Sequence, residues 1–440
     1  MEGNNKDYSK FGSKFGFILS CVGSAVGMAN IWAFPYRLGK YGGAAFLLVY
    51  LFFIALFSYV GLSAEFAIGR RSKTGTLGSY EYAWESRNKG KFGRKLGWIP
   101  LLGSMGIAIG YAIIVGWVLR SLAASMTGSL FQIDSAEFFS QAAGSFGSLP
   151  WHIMIVIVTL MTLMLSAKSI EKSNKIMMPT FFILFIILAI RVAFLPGAIE
   201  GYKYLFIPDW SFLGNPMTWV MAMGQAFFSL SVTGSGMIVY GAYLDDKEDI
   251  VHVATLTAVF DTIAAVISAL AIIPACFAFN IPPNAGPPLM FIVIPKILGQ
   301  IPAGRFFAIL FFLSVVFAGI SSLQNMFEVV AESLENRFKL NRKKVLVLLA
   351  IVCLGIGIFI EAEPKVGMWM DAVSIYVIPF GAVLGAFSWY VILDKEELLN
   401  ELNKGSQKTY GDTLVKIGKY AYVPIAVAVF ILGIVFGGIG

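Results

Sequence analysis

The sequence predicts an all-α polytopic membrane protein, and three observations support this class. Of the 440 residues, 58% are hydrophobic and only 13% are charged, whereas about 25% of the residues of a soluble domain are charged. The mean hydropathy is +0.77. Apolar runs of about 20 residues recur along the whole chain, and each is long enough to cross about 30 Å of hydrocarbon. A transmembrane β-barrel would instead show short segments of alternating polarity.

Basic residues lie in alternate loops, and this distribution predicts the orientation. The loop at 128–150 contains neither Lys nor Arg, whereas Lys and Arg cluster at 6–14, 70–95, 168–175, 337–344 and 395–419. Cytoplasmic loops carry such an excess of positive charge. We therefore expect a multi-pass protein of the plasma (inner) membrane with a cytoplasmic N-terminus. The lipid bilayer is then the partner that explains the formal net charge of +7, and no nucleic-acid partner is expected.

Eleven membrane spans are predicted, arranged as two halves and one additional helix. A single transmembrane domain, 1–440, would contain a first repeat at 11–195, a second repeat at 217–393 and an additional helix at 419–439. The odd number of spans predicts a C-terminus on the extracellular or periplasmic side. The predicted spans lie near 14–37, 43–69, 96–125, 151–167, 177–195, 217–243, 252–280, 303–333, 343–361, 371–393 and 419–439.

Two of the predicted spans contain residues that weaken a helix at mid-depth. Span 1 contains GSAVGMANIWAFPY at 23–36, and span 6 contains GQAFFSLSVTGSGMIVYGAY at 224–243. Irregular backbone is tolerated at membrane depth only where it lines a cavity. Broken helices at matching positions of two halves indicate a transporter site at the midplane. An unwound turn offers carbonyl oxygens to a cation and N–H groups to a carboxylate. The alternative is a packing kink, in which glycines allow close approach of helices.

On these residues the chain resembles the neurotransmitter:sodium symporter family. The similar segments are GSAVGMANIWAFPYRLGKYGGAAF in span 1, VGLSAEFAIGRRS in span 2, WIPLLGSMGIAIGYAIIVGW in span 3, PGAIEGYKYLFIPDWSFL in an outer loop, GQAFFSLS in span 6 and FAGISSLQ in span 8. The resemblance implies a leucine-transporter-like helical bundle of 5+5 inverted repeats with discontinuous helices 1 and 6. The eleventh helix resembles the shorter bacterial branch of the family.

The resemblance also implies two sodium ions. The ligands of the first ion, Na1, would be the substrate carboxylate and Ala25, Asn30, Ser229 and Asp261. The ligands of the second ion, Na2, would be the carbonyl groups of Gly23, Val26 and Ala318 and the hydroxyl groups of Ser321 and Ser322. Such oxygen ligands suit a hard cation. Back-bonding of the two serines to their own helix is the alternative interpretation of that pair.

For the substrate, the resemblance implies a small-molecule amino acid. Its carboxylate would meet the N–H groups of Met28 and Ala29 and the Tyr111 hydroxyl, and its ammonium group would meet carbonyls near Ala25, Phe228 and Ser229. The expected side-chain pocket consists of Ile107, Tyr111, Phe228, Ser231, Gly234, Ser322 and Met326. Many relatives carry a bulky residue at the Gly234 position, so its absence predicts room for an aromatic ring. Ser231 or Thr233 would then hydrogen-bond the phenol of tyrosine, which discriminates strongly.

One departure from the family pattern concerns chloride. Asp261 replaces an Asn in span 7, and Ala265 stands where relatives that need chloride have a serine. Because an acid in mid-span costs about 2.5–3.5 kcal/mol on insertion scales, Asp261 requires a partner. We expect its carboxylate to supply the negative charge, so that transport needs sodium but no chloride. The alternative is a neutral, protonated Asp261 in a helix contact.

The gates also depart from the family pattern. An outer gate arginine is absent, and Arg37 with Asp371 is the predicted substitute pair. The inner gate pair maps onto Tyr8 and Asn336, so both charges are missing. Lys6, Lys10 and Glu335 are the candidates for the cytoplasmic closure, and Glu65 is expected to cap loosened backbone.

The sequence therefore predicts a sodium-coupled symporter that imports an amino acid, most favourably tyrosine, by alternating access. The alternatives are a sodium-coupled carrier of aliphatic or neutral amino acids and a proton-coupled carrier of the same fold. No enzyme is expected, because the sequence lacks a His–Glu metal motif, a Ser–His–Asp set and a phosphate-binding loop. A receptor or channel is a further alternative. No oligomeric state follows from the sequence.

Overall fold

Helices follow the predicted apolar runs along the chain. A computed structural model describes residues 11–282 and 289–438, and the regular elements in these ranges are all helical. The helices are α1 (Lys14–Ala25), α2 (Ala29–Lys40), α3 (Ala44–Ser72), α4 (Thr76–Glu85), α5 (Gly90–Thr127), α6 (Ser135–Ala142), α7 (Leu149–Met161), α8 (Ala167–Ala193), α9 (Ala198–Phe206), α10 (Pro216–Ser229), α11 (Ile238–Ala242), α12 (Ile250–Ala278), α13 (Leu289–Leu298), α14 (Gly304–Phe338), α15 (Arg342–Ile360), α16 (Glu363–Ile392), α17 (Lys395–Asn403) and α18 (Asp412–Phe436).

The long apolar helices confirm the polytopic all-α class. Within the described residues, eight helices are long and apolar enough to cross a membrane, and the bent pair α1–α2 raises this number to nine. Two other predicted spans differ from a simple crossing. Helix α7 has 13 residues, which corresponds to about 20 Å, and span 6 is divided into α10 and α11. The count of eleven spans therefore stays a prediction.

Capping side chains fix where the helices of the site begin. The Ser13 hydroxyl accepts a hydrogen bond from the Gly16 N–H at the start of α1. The Asp249 carboxylate accepts one from the His252 N–H at the start of α12. Each cap satisfies an N–H group that has no partner within its own helix. The capping residues thus fix the first turns of α1 and α12.

Helices α5 and α14 pack along one another at the centre of the molecule and carry many of the predicted site residues. Helix α5 has 38 residues and α14 has 35. The other site residues lie on the broken spans and on α12, which surround this central pair. Helix α18 is peripheral, because side chains such as Ile431, Val435 and Phe436 are exposed along it. In a bilayer, such an apolar surface faces lipid.

Arg70 joins three segments at the end of α3. Its buried guanidinium donates to the Glu401 carboxylate at 2.5 Å, to the Glu248 carbonyl at 2.6 Å and to the Lys404 carbonyl at 2.9 Å. Asp246 lies nearby, and the ammonium groups of Lys404 and Lys73 hydrogen-bond its carboxylate. These two bonds lower the pKa of Asp246 to about 2. The end of α3, the segment before α12 and helix α17 are therefore held together by charge at one end of the bundle.

Candidate functional site

The break in span 1 lies between α1 and α2, which are bent by 60° relative to each other. The Gly27 N–H donates to the Asn30 side-chain oxygen at 3.0 Å, and the Met28 N–H donates to the Tyr111 hydroxyl at 2.8 Å. The Val26 carbonyl accepts a hydrogen bond from the Ser322 hydroxyl at 3.1 Å. Side chains of α2, α5 and α14 therefore satisfy backbone groups that the break leaves without helical partners.

The break in span 6 extends from the end of α10 at Ser229 to the start of α11 at Ile238. Glu65 closes it from α3: one carboxylate oxygen accepts the Gly234 N–H at 2.7 Å and the other accepts the Met237 N–H at 2.9 Å. The prediction that Glu65 caps loosened backbone is confirmed. Both predicted discontinuities, in span 1 and in span 6, are present in the structure.

The side chains predicted for Na1 converge from three helices. The Asn30 amide of α2 donates to one oxygen of Asp261 at 2.7 Å, and the Ser229 hydroxyl of α10 donates to the other at 2.6 Å. The amide also lies 3.3 Å from the Ser229 oxygen. All three residues are at most 1% exposed. This cluster combines the carboxylate oxygens of Asp261 with the neutral oxygens of Asn30 and Ser229, and hard oxygen donors of this kind suit a hard cation.

The residues predicted for Na2 also meet, where the break in span 1 faces α14. Ser322 reaches across to the Val26 carbonyl, whereas the Ser321 hydroxyl donates to the Ala318 carbonyl of its own helix at 3.0 Å. A Cβ atom added to Gly23 would lie 3.1 Å from the Ser321 Cβ. Back-bonding therefore describes Ser321 in this structure but does not describe Ser322. The five residues therefore adjoin one another where the end of α1 and the break in span 1 face α14.

The substrate residues gather around the same break. A Cβ atom at Gly27 would lie 2.7 Å from the Ser322 hydroxyl and 2.8 Å from the Tyr111 hydroxyl, so only a glycine admits both oxygens. Gly27 was not among the predicted site residues, although its place in the glycine-containing break is the signal for it. Four of the predicted pocket residues are partly exposed: Ile107, Phe228, Ser231 and Met326. The buried Ala25 and Met28 and the partly exposed Ala29 flank the break.

The interpretation of Gly234 as the source of space for a ring is wrong. Gly234 has φ +75°, and a Cβ atom there would lie 2.2 Å from the Gly381 carbonyl oxygen and 2.8 Å from the Tyr80 hydroxyl. A side chain at this position would therefore point at the backbone of α16. Gly234 is required because the left-handed conformation and the close approach of α16 both exclude a side chain.

The predicted outer gate pair is not formed in this structure. Arg37 is 9% exposed, and its guanidinium donates to the Gln225 side-chain oxygen of α10, whereas Asp371 is exposed. Within the described residues no ion pair joins Arg37 to Asp371. Arg37 is directed inward to the amide of Gln225, which explains the difference from the prediction.

Two carboxylates bind the ends of the broken spans that lie away from the breaks, namely the start of α1 and the segment after α11. Glu328 of α14 accepts hydrogen bonds from the Tyr243 hydroxyl at 2.5 Å and the Ser166 hydroxyl at 2.6 Å, and it pairs with Arg342. Glu171 of α8 accepts the Gly12 N–H and the Ser13 hydroxyl at 2.5 and 2.7 Å. The predicted candidate Glu335 contributes to this region through Arg342 at 3.3 Å.

The other residues predicted for the cytoplasmic closure lie near the N-terminus. Lys6, Tyr8 and Lys10 lie outside the described residues. Sequence reasoning missed Glu328 and Glu171, although a glutamate within an apolar run is itself a sign of a buried polar contact.

Comparisons with known proteins agree with this architecture. The family model "Sodium:neurotransmitter symporter family" matches residues 8–132 and 129–439. The chain is 31% identical to the uncharacterized sodium-dependent transporter YhdH of Bacillus subtilis, covering 97% of each chain. It is 33% identical to an uncharacterized sodium-dependent transporter of Methanocaldococcus jannaschii, covering 91% of this chain and 85% of the relative.

A solved structure has the same fold. The crystal structure of MhsT in complex with L-phenylalanine superimposes with a TM-score of 0.84 and 31% sequence identity, covering 96% of this chain and 99% of that one. The similarity supports the helical bundle with two broken helices that the resemblance implied. The chain belongs to the sodium:neurotransmitter symporter family, a family of sodium-dependent transporters and not of enzymes.

Proposed function

We propose that this transporter imports an amino acid together with two sodium ions by alternating access. The observation that carries the proposal is the convergence of Asn30, Ser229 and Asp261 beside the Tyr111–Met28 hydrogen bond. A cation site and a carboxylate site thereby share one break in span 1. If the substrate carboxylate is a ligand of Na1, ion and substrate each stabilise the other's site reciprocally. Two sodium ions would supply about 4.6 kcal/mol per 100 mV, at about 2.3 kcal/mol per charge.

An aromatic substrate is the preferred choice within this proposal. Its support is the L-phenylalanine in the complex of MhsT and the apolar character of the partly exposed pocket residues Ile107, Phe228 and Met326. Gly234 does not contribute to this argument. Phenylalanine and tyrosine are the first substrates to test, and an aliphatic or other neutral amino acid is the alternative.

Chloride independence is the second detailed proposal. The Asp261 carboxylate accepts hydrogen bonds from both Asn30 and Ser229, and the Tyr50 hydroxyl lies 3.4 Å from the Ser229 oxygen. A negative charge is thus already surrounded by the donors that would otherwise meet an anion. The Gln225 amide nitrogen is buried and has no hydrogen-bond partner within the described residues. Because an N–H donor of this kind can bind an anion, uptake must also be measured with chloride replaced.

Alternating access requires that one side of the site be closed, and the contacts of two buried carboxylates support a closure on one side. With the N-terminus in the cytoplasm, as the basic loops predict, Glu171 and Glu328 lie on the cytoplasmic side. Each receives donors from the cytoplasmic end of a broken helix: Ser13 at the start of α1 and Tyr243 after α11. These contacts would replace the missing inner gate pair, and the breaks would act as the hinges.

The test is uptake of radiolabelled phenylalanine and tyrosine into proteoliposomes under an inward sodium gradient. Accumulation that requires sodium and is lost when potassium replaces it is the expected result. Accumulation driven by a proton gradient without sodium would favour the proton-coupled alternative. Competition by leucine alone would favour an aliphatic substrate, and loss of uptake in gluconate would exclude chloride independence. A steady current without accumulation would indicate a channel.

A further inference from the structure

Asn174 of α8 is a buried amide with a fixed orientation. The side chain is 0% exposed. Its nitrogen donates two hydrogen bonds, to the Ile170 carbonyl at 3.0 Å and to the Gln324 side-chain oxygen at 2.9 Å. Because a backbone carbonyl can only accept, the Ile170 contact identifies the nitrogen of the amide. The Asn174 side-chain oxygen must therefore point the other way.

That oxygen has no hydrogen-bond donor within the described residues. It lies against the break in span 1, since a Cβ atom at Gly23 would be 2.1 Å from it and 3.1 Å from the Ser321 Cβ. Gly23 and Ser321 are two of the residues assigned to Na2. The unpaired oxygen of Asn174 thus adjoins the second sodium site from a helix that contributes none of the five assigned ligands.

An unsatisfied, buried carbonyl oxygen is unfavourable, and most such groups in folded proteins have a partner. Sodium, as a hard cation, takes oxygen ligands of this kind. A second amide holds the arrangement in place: Gln324 accepts from Asn174 and donates to the hydroxyls of Thr162 and Ser173, each at 2.7 Å. The free oxygen is therefore oriented before any ion arrives, as expected of a ligand supported by a hydrogen-bond network.

We propose that the side-chain oxygen of Asn174 is an additional oxygen donor of the second sodium site, with Gln324 as the residue that positions it. The inference rests on the proposed sodium coupling. It implies that Na2 joins three helices, α1, α8 and α14, and not only the pair α1 and α14. Occupancy by sodium would then hold the inner half of span 1 against α8.

The experiment measures sodium binding without transport. Purified full-length protein is titrated with sodium chloride at constant ionic strength, with choline as the replacement cation, and thermal unfolding gives the sodium concentration at half-maximal stabilisation. A ligand that binds only the folded state raises the melting temperature with concentration. We expect Asn174→Ala to raise this midpoint about tenfold, the lower end of the loss seen when a metal site loses a supporting residue. Asn174→Asp keeps an oxygen toward the site but loses both N–H donors, so its midpoint should lie below that of Asn174→Ala.

Two further variants separate a ligand from a structural residue. Thr180→Ala removes a hydroxyl from the same helix, α8, that donates to the Ile176 carbonyl and lies outside the network, so its sodium midpoint should equal that of the parent. Gln324→Ala removes the positioning contact and should raise the midpoint by a smaller factor than Asn174→Ala. It also keeps the inference testable if Asn174→Ala does not fold.

The outcomes distinguish the inference from the proposed function. If sodium stabilises the parent and the midpoints of Asn174→Ala and Gln324→Ala are unchanged, Asn174 is only a structural residue and the inference is overturned. If Asn174→Ala lowers the melting temperature by the same amount with and without sodium, relative to the parent, the inference is likewise overturned. If sodium does not stabilise even the parent, the proposed sodium coupling fails first, and the inference falls with it.

Discussion

The two broken spans differ in what satisfies their backbone. In span 1 the free N–H and carbonyl groups meet neutral side chains, namely Asn30, Tyr111 and Ser322. In span 6 the N–H groups of Gly234 and Met237 meet the carboxylate of Glu65. Hydrogen bonds to a charged group are roughly twice as strong as neutral ones.

This difference assigns different roles to two features that look alike in the sequence. A substrate carboxylate or a cation would replace the neutral partners of span 1 at a lower cost than a charged partner. The Glu65 carboxylate holds two N–H groups of span 6 at once, so a ligand would have to break two charged hydrogen bonds to replace it. We infer that span 1 carries most of the binding and that the break in span 6 is a structural joint, and four predictions test the distinction.

The largest effect is expected at Asp261, which serves the site beside span 1. Asp261→Ala removes the acceptor of both Asn30 and Ser229. Sodium-driven uptake should fall at least about 100-fold, since removing one partner of a buried charged contact costs about 3–5 kcal/mol. Asp261→Asn is the matched control: it should retain some uptake and make that uptake depend on chloride. Normal uptake by Asp261→Ala would contradict the assignment of Na1.

The break in span 6 should respond in stability and not in binding. Glu65→Ala leaves the Gly234 and Met237 N–H groups without acceptors, which should lower the free energy of unfolding by about 3 kcal/mol, because each bond to a charged group contributes about 1.5–3 kcal/mol. Thermal unfolding measures the loss. Glu65→Gln keeps one good acceptor and should lose about half as much. A changed sodium midpoint at unchanged stability would reverse the proposed division of roles.

Tyr111 tests the substrate side of span 1. Tyr111→Phe removes the hydroxyl that meets the Met28 N–H but keeps the ring. The substrate concentration for half-maximal uptake should rise about tenfold, as expected for one lost hydrogen bond of about 1.4 kcal/mol. The sodium midpoint for thermal stabilisation should change little. Unaltered substrate dependence would show that Tyr111 is an ordinary core aromatic.

The smallest effect is expected where the inner half of span 6 ends. Tyr243→Phe loses one hydrogen bond to Glu328, but Glu328 keeps Ser166 and Arg342 as partners. The loss should therefore be smaller than for Glu65, about 0.7 kcal/mol, which favours opening on that side about threefold. The buried Cys21 of α1 can report this opening by its rate of thiol labelling, with Cys276 and Cys353 replaced by Ser. Tyr240→Phe is the control, because the Tyr240 hydroxyl has no partner in the described part of the chain. Equal labelling rates in both variants would exclude Glu328 as part of the closure.

Much of the fold could be predicted from the sequence, because lipid leaves few choices. Apolar runs predict spans, and glycines and polar residues at mid-depth predict a break. The approach of Asn30, Ser229 and Asp261 followed from the family resemblance, since these residues are far apart in the chain. Their close hydrogen bonds agree with the predicted cluster.

The rest depends on directions and long-range contacts that the sequence does not encode locally. Gly234 was misinterpreted because the sequence does not reveal its φ of +75° or the nearness of Gly381, which together decide where a side chain at this position would point. Arg37 was paired with Asp371 from its helical register, whereas its inward direction toward Gln225 depends on tertiary packing. Asn174 meets Gln324 across 150 residues, a separation at which residue type alone gives no signal.

Helix α5 has a mechanical consequence. Its 38 residues correspond to about 57 Å, nearly twice the roughly 30 Å hydrocarbon thickness, so the helix must tilt or extend into water. Tyr111 lies near the midpoint of this continuous helix, whereas Met28 lies at the 60° bend between α1 and α2. A substrate bound between the Tyr111 hydroxyl and the Met28 N–H would then link the bend angle of span 1 to the position of α5, so that a change in this angle would alter the width of the site.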